Sequence, residues 1–141
     1  MAKYLVTGGA GFIGSHLVDR LIDQGNHVIV LDNLSSGKLD NLNMQAEFVE
    51  GDICDKELVQ FLMNKVDGCF HLAAIASVDL SVQQWSKTHE VNLTGTINMF
   101  EASSKRDSGV VPIVYASSAA IYGDNASVPL EEIAQPSPRD S

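Results

Sequence analysis

Several kinds of residue and pattern are scarce in this chain, and each scarcity closes off a class of protein. Cysteine occurs only as Cys54 and Cys69 in 141 residues, with no C-x-x-C spacing. That argues against a disulfide scaffold and points to free thiols in a reducing, cytoplasmic setting. His16, His27, His71 and His89 share no ligand spacing with one another or with the cysteines, so no metal centre is expected. Basic residues number nine against eighteen acidic ones, for a net charge of −9. Lys38, Lys56, Lys65, Lys87, Lys105 and Arg106 are dispersed rather than gathered into a stripe, so nucleic acid is not an expected partner. Proline appears four times, and charged residues make up 19% against 45% hydrophobic, which excludes a disordered or collagen-like chain. No window reaches the ~18 continuous apolar residues that a membrane span requires. The opening "MAKYLVTGGAGFIG" is interrupted by glycines too early for a signal-peptide core, so neither export nor membrane insertion is expected.

What remains is a chain of about one domain's length, able to bury roughly 68–70% of its unfolded surface. Its apolar pattern alternates short runs with helical spacing, the signature of β/α units around a parallel sheet. Strands are predicted at 3–7, 27–32, 46–52, 68–74 and 110–118. Pro112 restricts where the last of these can lie, because it has no N–H to give. Between the first two strands Ile13, Leu17 and Leu21 recur on one helix face, with Gly25 as the stop. A second helix is predicted over "KELVQFLMN", and a long one from about Val82 to Lys105, where Leu93, Ile97 and Phe100 step by four and three. From Asn125 onward three prolines sit among polar residues without period, which reads as a loop leading to further chain. The expected division is a dinucleotide-binding unit over 1–124, incomplete as it stands, and a loop over 125–141.

"TGGAGFIG" follows the first strand and opens the first helix, the context in which a glycine pattern carries information. Gly8 permits a tight turn, Gly11 lets the backbone approach a pyrophosphate, and Gly14 lets helix pack on strand. Phosphates would then meet the unpaired N–H groups and positive dipole end of the helix. The same letters also fit G-x-G-x-x-G counted from Gly9, so spacing alone leaves the register open. Asp32 ends the second strand twenty-one residues after Gly11, near the ~20 expected of the acid that binds an adenosine ribose. A carboxylate there repels a 2′-phosphate, which selects NAD over NADP. Asp52 and Ile53 follow the third strand, and Ala73 and Ala74 end the fourth, both at the carboxyl ends where an open α/β sheet holds its ligand. Asp52 suits an adenine amino group, with Ile53 packed on the ring; its alternative is to cap the helix beginning near Asp55.

The pieces "VTGGAGFIGSHL", "LDNLSSGK", "GDI", "HLAA", "VNLTGT" and "YASSAAIYGD" span the chain in order. Together they resemble the amino-terminal part of the extended short-chain dehydrogenase/reductases, within them the NAD-dependent epimerase/dehydratase family and above all its nucleotide-sugar epimerases. The resemblance implies a Rossmann-type doubly wound α/β fold, cut before the domain is complete. It implies that Gly8, Gly11, Phe12, Ile13 and Gly14 cradle the NAD pyrophosphate, and that Asp32, Asn33, Ser36, Gly37, Asp52 and Ile53 line its adenosine side. Leu72, Ala73 and Ala74 would pass the middle of the cofactor, with Ala116 and Ser117 nearby. Asn92 matches the family's structural, cofactor-side asparagine.

Ser118 aligns with the family's catalytic serine or threonine, whose hydroxyl meets the sugar oxygen being oxidised. On residue type alone, a hydroxyl satisfied by local backbone is the commoner fate. The family's base is a Tyr-x-x-x-Lys pair. Tyr4, Tyr115 and Tyr122 are the only tyrosines here, and none has lysine four positions on. The pair is expected within a few residues beyond Ser141. Family dehydratases carry an acid just after the serine or threonine, where this chain has Ala119 and Ala120, which cannot move protons. The implied activity is therefore epimerisation of a nucleotide sugar, a UDP-sugar by preference, in a protein that forms homodimers as its relatives do. A reductase of the same superfamily, or an NAD-binding module without catalysis, are the competing expectations.

Overall fold

The computed structural model describes residues 1–106, 108–124 and 129–138. Five strands form one parallel sheet in the order β3-β2-β1-β4-β5, with β1 at Lys3–Thr7, β2 at His27–Asp32, β3 at Glu47–Glu50, β4 at Gly68–His71 and β5 at Ile113–Tyr115. Chain order reverses between β1 and β4, which places a crevice at the carboxyl ends of those two strands. This is a Rossmann-type doubly wound α/β fold.

Alternation along the strands decides what each face buries. Leu5, Ile29, Leu31 and Cys69 point to one side, where they meet Val59, Leu62 and Met63 of α2 (Lys56–Met63) and Met99 and Ala102 of α5 (Thr96–Ser104). Val6, Val28 and Val30 point to the other, against Val18 and Leu21 of α1 (Phe12–Asp23). The stripe of α1 that packs is Gly14, Val18 and Leu21, whereas Ile13 is exposed and Leu17 half-buried. The predicted Ile13-Leu17-Leu21 face is thus rotated, because Gly14, which has no side chain, is the residue that sits against the Gly8–Gly9 turn at the end of β1.

Helix α2 begins where the sequence provides an acceptor. The Asp55 carboxylate accepts from the N–H groups of Glu57 (3.1 Å) and Leu58 (3.0 Å). Asp55→Ala removes this cap and should cost about 1 kcal/mol. An unchanged urea midpoint would show that the cap contributes nothing.

The predicted long helix is segmented. Helix α3 (Val78–Gln83) stops at Gln84, α4 (Trp85–His89) restarts, and a π turn over Glu90–Gly95 leads into α5. Val91, Asn98, Met99 and Ala102 face inward, while Leu93, Ile97 and Phe100 are roughly half exposed, so the apolar stripe read from the sequence is the outer one. Strand β5 is shorter than the predicted 110–118. Before it, the Pro112 carbonyl accepts from Cys69 N–H, a contact that needs no proline N–H. Val114 and Tyr115 are exposed beside Phe100, whose ring meets Tyr115 edge-on.

Of the predicted loop at 125–141, residues 125–128 and 139–141 lie outside the described residues. The remainder contains no helix or strand and folds back through Ser137 N–H to the Ile121 carbonyl (2.7 Å). Among the described residues no helix is long and apolar enough to cross a membrane.

Both cysteines are free. Burial pushes the Cys69 thiol up to about 12. Burial, followed by the neighbouring Asp52 carboxylate, pushes Cys54 to about 11. Both are therefore protonated near neutrality, and alkylation there should be slow, since the thiolate is the nucleophile. Peptide mapping after a short iodoacetamide pulse should find Cys54 and Cys69 labelled only in the denatured protein; fast labelling of the native protein would contradict the assignment.

Candidate cofactor site

A cavity of about 430 Å³ lies over the carboxyl ends of β2, β1 and β4. Its floor is the turn between β1 and α1. Gly8 has φ +69°, the left-handed conformation that glycine adopts without penalty, and its N–H reaches the Leu31 carbonyl (2.9 Å). That resolves the register, since the turn residue is Gly8 and the spacing runs Gly8-x-x-Gly11-x-x-Gly14. A Cβ on Gly14 would lie 2.2 Å from the Gly8 carbonyl oxygen, so α1 can sit this close to the turn only without one. At Gly11 the nearest atom would be 3.2 Å away, again the Gly8 oxygen. The absent side chain there leaves an opening toward the cavity rather than relieving a clash. The first turn of α1 carries no acidic residue, and its leading N–H groups have no partner within the helix. A glycine-lined floor at such a terminus fits the phosphates of a dinucleotide.

Asp32 does more here than its position suggests. One carboxylate oxygen accepts from Ala10 N–H in the glycine turn (3.0 Å), the other from Leu34 N–H (2.8 Å), and the residue is 8% exposed. Leu34 itself takes φ +56°, an unfavourable conformation for leucine that this hydrogen bond helps hold. Asp32 thus clamps two loops while still lining the cavity. Each carboxylate oxygen has a second lone pair left for a ribose hydroxyl.

Asn33 donates to Asp52 Oδ2 (2.9 Å), and Asp52 Oδ1 accepts from Cys54 N–H (2.9 Å). Burial raises the Asp52 pKa, but these hydrogen bonds outweigh it and the carboxyl is held below its usual range. With Asp55 capping α2 through its own side chain, Asp52 is left as a charged group of the cavity wall.

Ten predicted residues converge on the cavity: Gly8, Gly11, Asp32, Asn33, Ser36, Asp52, Ile53, Leu72, Ala73 and Ala74. The others lie outside its lining. Phe12 and Ile13 are 80% and 69% exposed on the outer side of α1. Gly37 packs on Ala10, where a Cβ would come within 2.8 Å of the Ala10 methyl. The side chain of Asn92 is spent on Ile75, accepting from its N–H (2.7 Å) and donating to its carbonyl (3.0 Å), so it braces the wall instead of lining it. Ala116 follows β5 and donates its N–H to the His71 carbonyl (3.2 Å), with Ser117 and Ser118 exposed just beyond. Ser118 Oγ accepts from Ala120 N–H (3.2 Å) and caps a short 3-10 turn, the local arrangement that residue type alone favours.

Sequence reasoning missed the far wall, to which Ile75, Ser77, Leu80, Gln84, Lys87 and Val91 contribute. No glycine or acid signature marks them. Lys87, paired with Glu90 at 3.2 Å, is the one cationic side chain of the lining among the described residues.

The sequence profile of the NAD dependent epimerase/dehydratase family matches residues 4–141. A UDP-glucose 4-epimerase of Thermotoga maritima, solved with UDP-glucose, superposes with a TM-score of 0.87 at 45% identity, covering 97% of this chain and 45% of that one. The UDP-glucose 4-epimerase of Thermus thermophilus, solved with NAD, gives 0.86 at 42% identity, over 96% of this chain and 44% of its own. A UDP-glucose 4-epimerase of Streptomyces lividans is 40% identical over 139 residues, which are 96% of this chain and 42% of the relative. The chain thus spans under half the length of the relatives it matches. A match along nearly the whole chain, on a sheet whose order and glycine turn suit a dinucleotide, places this chain in the NAD-dependent epimerase/dehydratase family.

Proposed function

We propose that this chain is the dinucleotide-binding portion of an NAD-dependent nucleotide-sugar epimerase acting on a UDP-hexose at C4. The observation that carries the reading is the convergence of Gly8, Gly11, Asp32 and Asp52 on one cavity at the sheet's switch point. Gly11 leaves room for the pyrophosphate, Asp32 holds the adenosine ribose, and Asp52 with Ile53 receives the adenine. NAD held by Gly8, Gly11, Asp32 and Asp52 would supply the reversible hydride acceptance that inversion at the sugar carbon requires. Ser118 already accepts one N–H, which leaves its proton to donate to the sugar oxygen at that carbon. The proton of the sugar hydroxyl goes to a tyrosine base of the Tyr-x-x-x-Lys kind, which residues 1–141 do not contain. Ala119 and Ala120 offer no acid for proton transfer at neighbouring carbons, in keeping with epimerisation rather than dehydration.

Two free thiols without C-x-x-C spacing support a cytoplasmic location. The outward stripe of Leu93, Ile97 and Phe100 supports assembly as a homodimer.

The test is to incubate the full-length protein with UDP-galactose or UDP-glucose and NAD and to resolve the sugars chromatographically. Interconversion without net NADH is expected. Net NADH consumption in a parallel incubation supplied with NADH would replace the epimerase with a reductase, and inertness toward UDP-hexoses and their N-acetyl and uronate relatives would overturn the proposal.

A further inference from the structure

A histidine inside a parallel sheet must satisfy two ring nitrogens, and His71, at the end of β4 and 5% exposed, does so with two threonines. Nδ1 lies 2.7 Å from Thr7 Oγ1, and Nε2 lies 2.9 Å from Thr96 Oγ1. The proton positions follow from what each partner can do. The Thr96 hydroxyl lies 2.8 Å from the Asn92 carbonyl, which can only accept, so its proton goes there and its oxygen receives Nε2–H. Thr7 Oγ1 takes the N–H groups of Leu72 and Ala73, each at 3.2 Å, which fills both lone pairs. Its own proton then goes to Nδ1, which must be bare. One neutral tautomer, protonated on Nε2, satisfies every group.

The network therefore runs from two amides of the cavity wall through Thr7, His71 and Thr96 to the Asn92 carbonyl. Asn92 closes it by gripping Ile75 at both backbone atoms. Leu72, Ala73, Ala74 and Ile75 all line the cavity, so this wall is held at its two ends by one chain of bonds with the imidazole at its centre. The wall also abuts the floor, since a Cβ on Gly8 would lie 2.8 Å from Ala73 N.

We propose that His71 is a positioning residue of the cofactor site, whose Nε2-protonated ring fixes the wall at Leu72–Ile75 against the glycine turn in the geometry that receives the dinucleotide. This rests on the reading of the cavity as a dinucleotide site. Burial drives the ring's pKa from the ordinary 6.5 down to about 4, so the neutral form prevails at neutral pH.

Replacing His71 itself risks unfolding, so the test uses its partner Thr96 in the full-length protein, with melting temperature as a control. Nitrogen NMR of the unmodified protein should show His71 as a single tautomer, bare at Nδ1 and protonated at Nε2. Thr96→Val leaves Nε2–H without its acceptor. Thr7 still keeps Nδ1 bare, so the Nε2-protonated tautomer should persist with its Nε2 and Hε2 signals shifted by the lost acceptor, and NAD affinity should fall about tenfold. Thr96→Ser keeps the hydroxyl and should restore both the Nε2 signals and the affinity. A ring protonated on Nδ1 in the unmodified protein would overturn the proposal, as would unaltered NAD affinity in Thr96→Val or a serine variant no better than valine. If the unmodified protein binds no NAD, the cofactor reading fails and takes this proposal with it. If it binds and the Thr96 pair makes no difference, this proposal alone fails.

Discussion

Gly14→Ala should strip the protein of most of its stability. The new methyl carbon would lie 2.2 Å from the Gly8 carbonyl oxygen and 2.7 Å from Gly9 Cα, both backbone atoms of a turn pinned to the sheet. Neither can give way as a flexible side chain would, so α1 must lift off β1 and β2, and its contacts through Val18 and Leu21 loosen with it. A loss above ~4 kcal/mol is expected, among the largest that single substitutions produce, against a total of about 5–15 kcal/mol. The thermal midpoint should drop by more than roughly 10 °C. Gly11→Ala is the matched contrast, because its methyl meets only the Gly8 oxygen at 3.2 Å. That variant should fold and fail to bind NAD, since the methyl would occupy the space left for the pyrophosphate. A Gly14→Ala protein melting within a degree or two of the unmodified one would show that α1 does not depend on this contact.

Asp32→Ala should weaken NAD binding by about 10- to 100-fold, the equivalent of one charge-assisted hydrogen bond of ~1.5–3 kcal/mol. NADP should weaken less or improve, because a carboxylate that repels its 2′-phosphate has gone. The structure adds a second effect. With the carboxylate removed, Ala10 N–H and Leu34 N–H both lose their acceptor, and each orphaned donor costs about 1–3 kcal/mol if it stays dry. Stability should therefore fall together with affinity, and Leu34 at φ +56° should relax first. Asp32→Asn keeps one acceptor oxygen and should fall between the two. Paired calorimetric and thermal measurements check this; full NAD affinity in Asp32→Ala would dissociate Asp32 from the ribose.

The parts of the site legible in the sequence are those set by local geometry. A turn that needs φ > 0 at Gly8 and a helix that must touch that turn at Gly14 can be met only by glycine, so the letters report the backbone directly. Asp32 was legible as a strand-end acid, yet its grip on Ala10 and Leu34 was not, because that depends on how two loops converge in space. The far wall was invisible for the same reason. Ile75 to Val91 come to the cavity only because α3 and α4 cross its mouth, and their side chains resemble those of any surface helix. The long helix was predicted, but its π turn was not. The stepping of Leu93, Ile97 and Phe100 announced a helix without telling which face meets the sheet, since Val91, Met99 and Ala102 form a second apolar stripe on the same stretch. Ile13 misled in a simpler way: a large apolar residue beside Gly14 looked like core, and the residue without a side chain took that place.

On this reading the cavity over β1, β2 and β4 is a site for NAD, selected by Asp32. The most direct measurement is a calorimetric titration of the full-length protein with NAD and NADP under identical conditions. Binding of NAD, with NADP at least ~10-fold weaker because the 2′-phosphate meets the Asp32 carboxylate, is the predicted result. NADP binding as tightly as NAD, or neither binding at all, would contradict it.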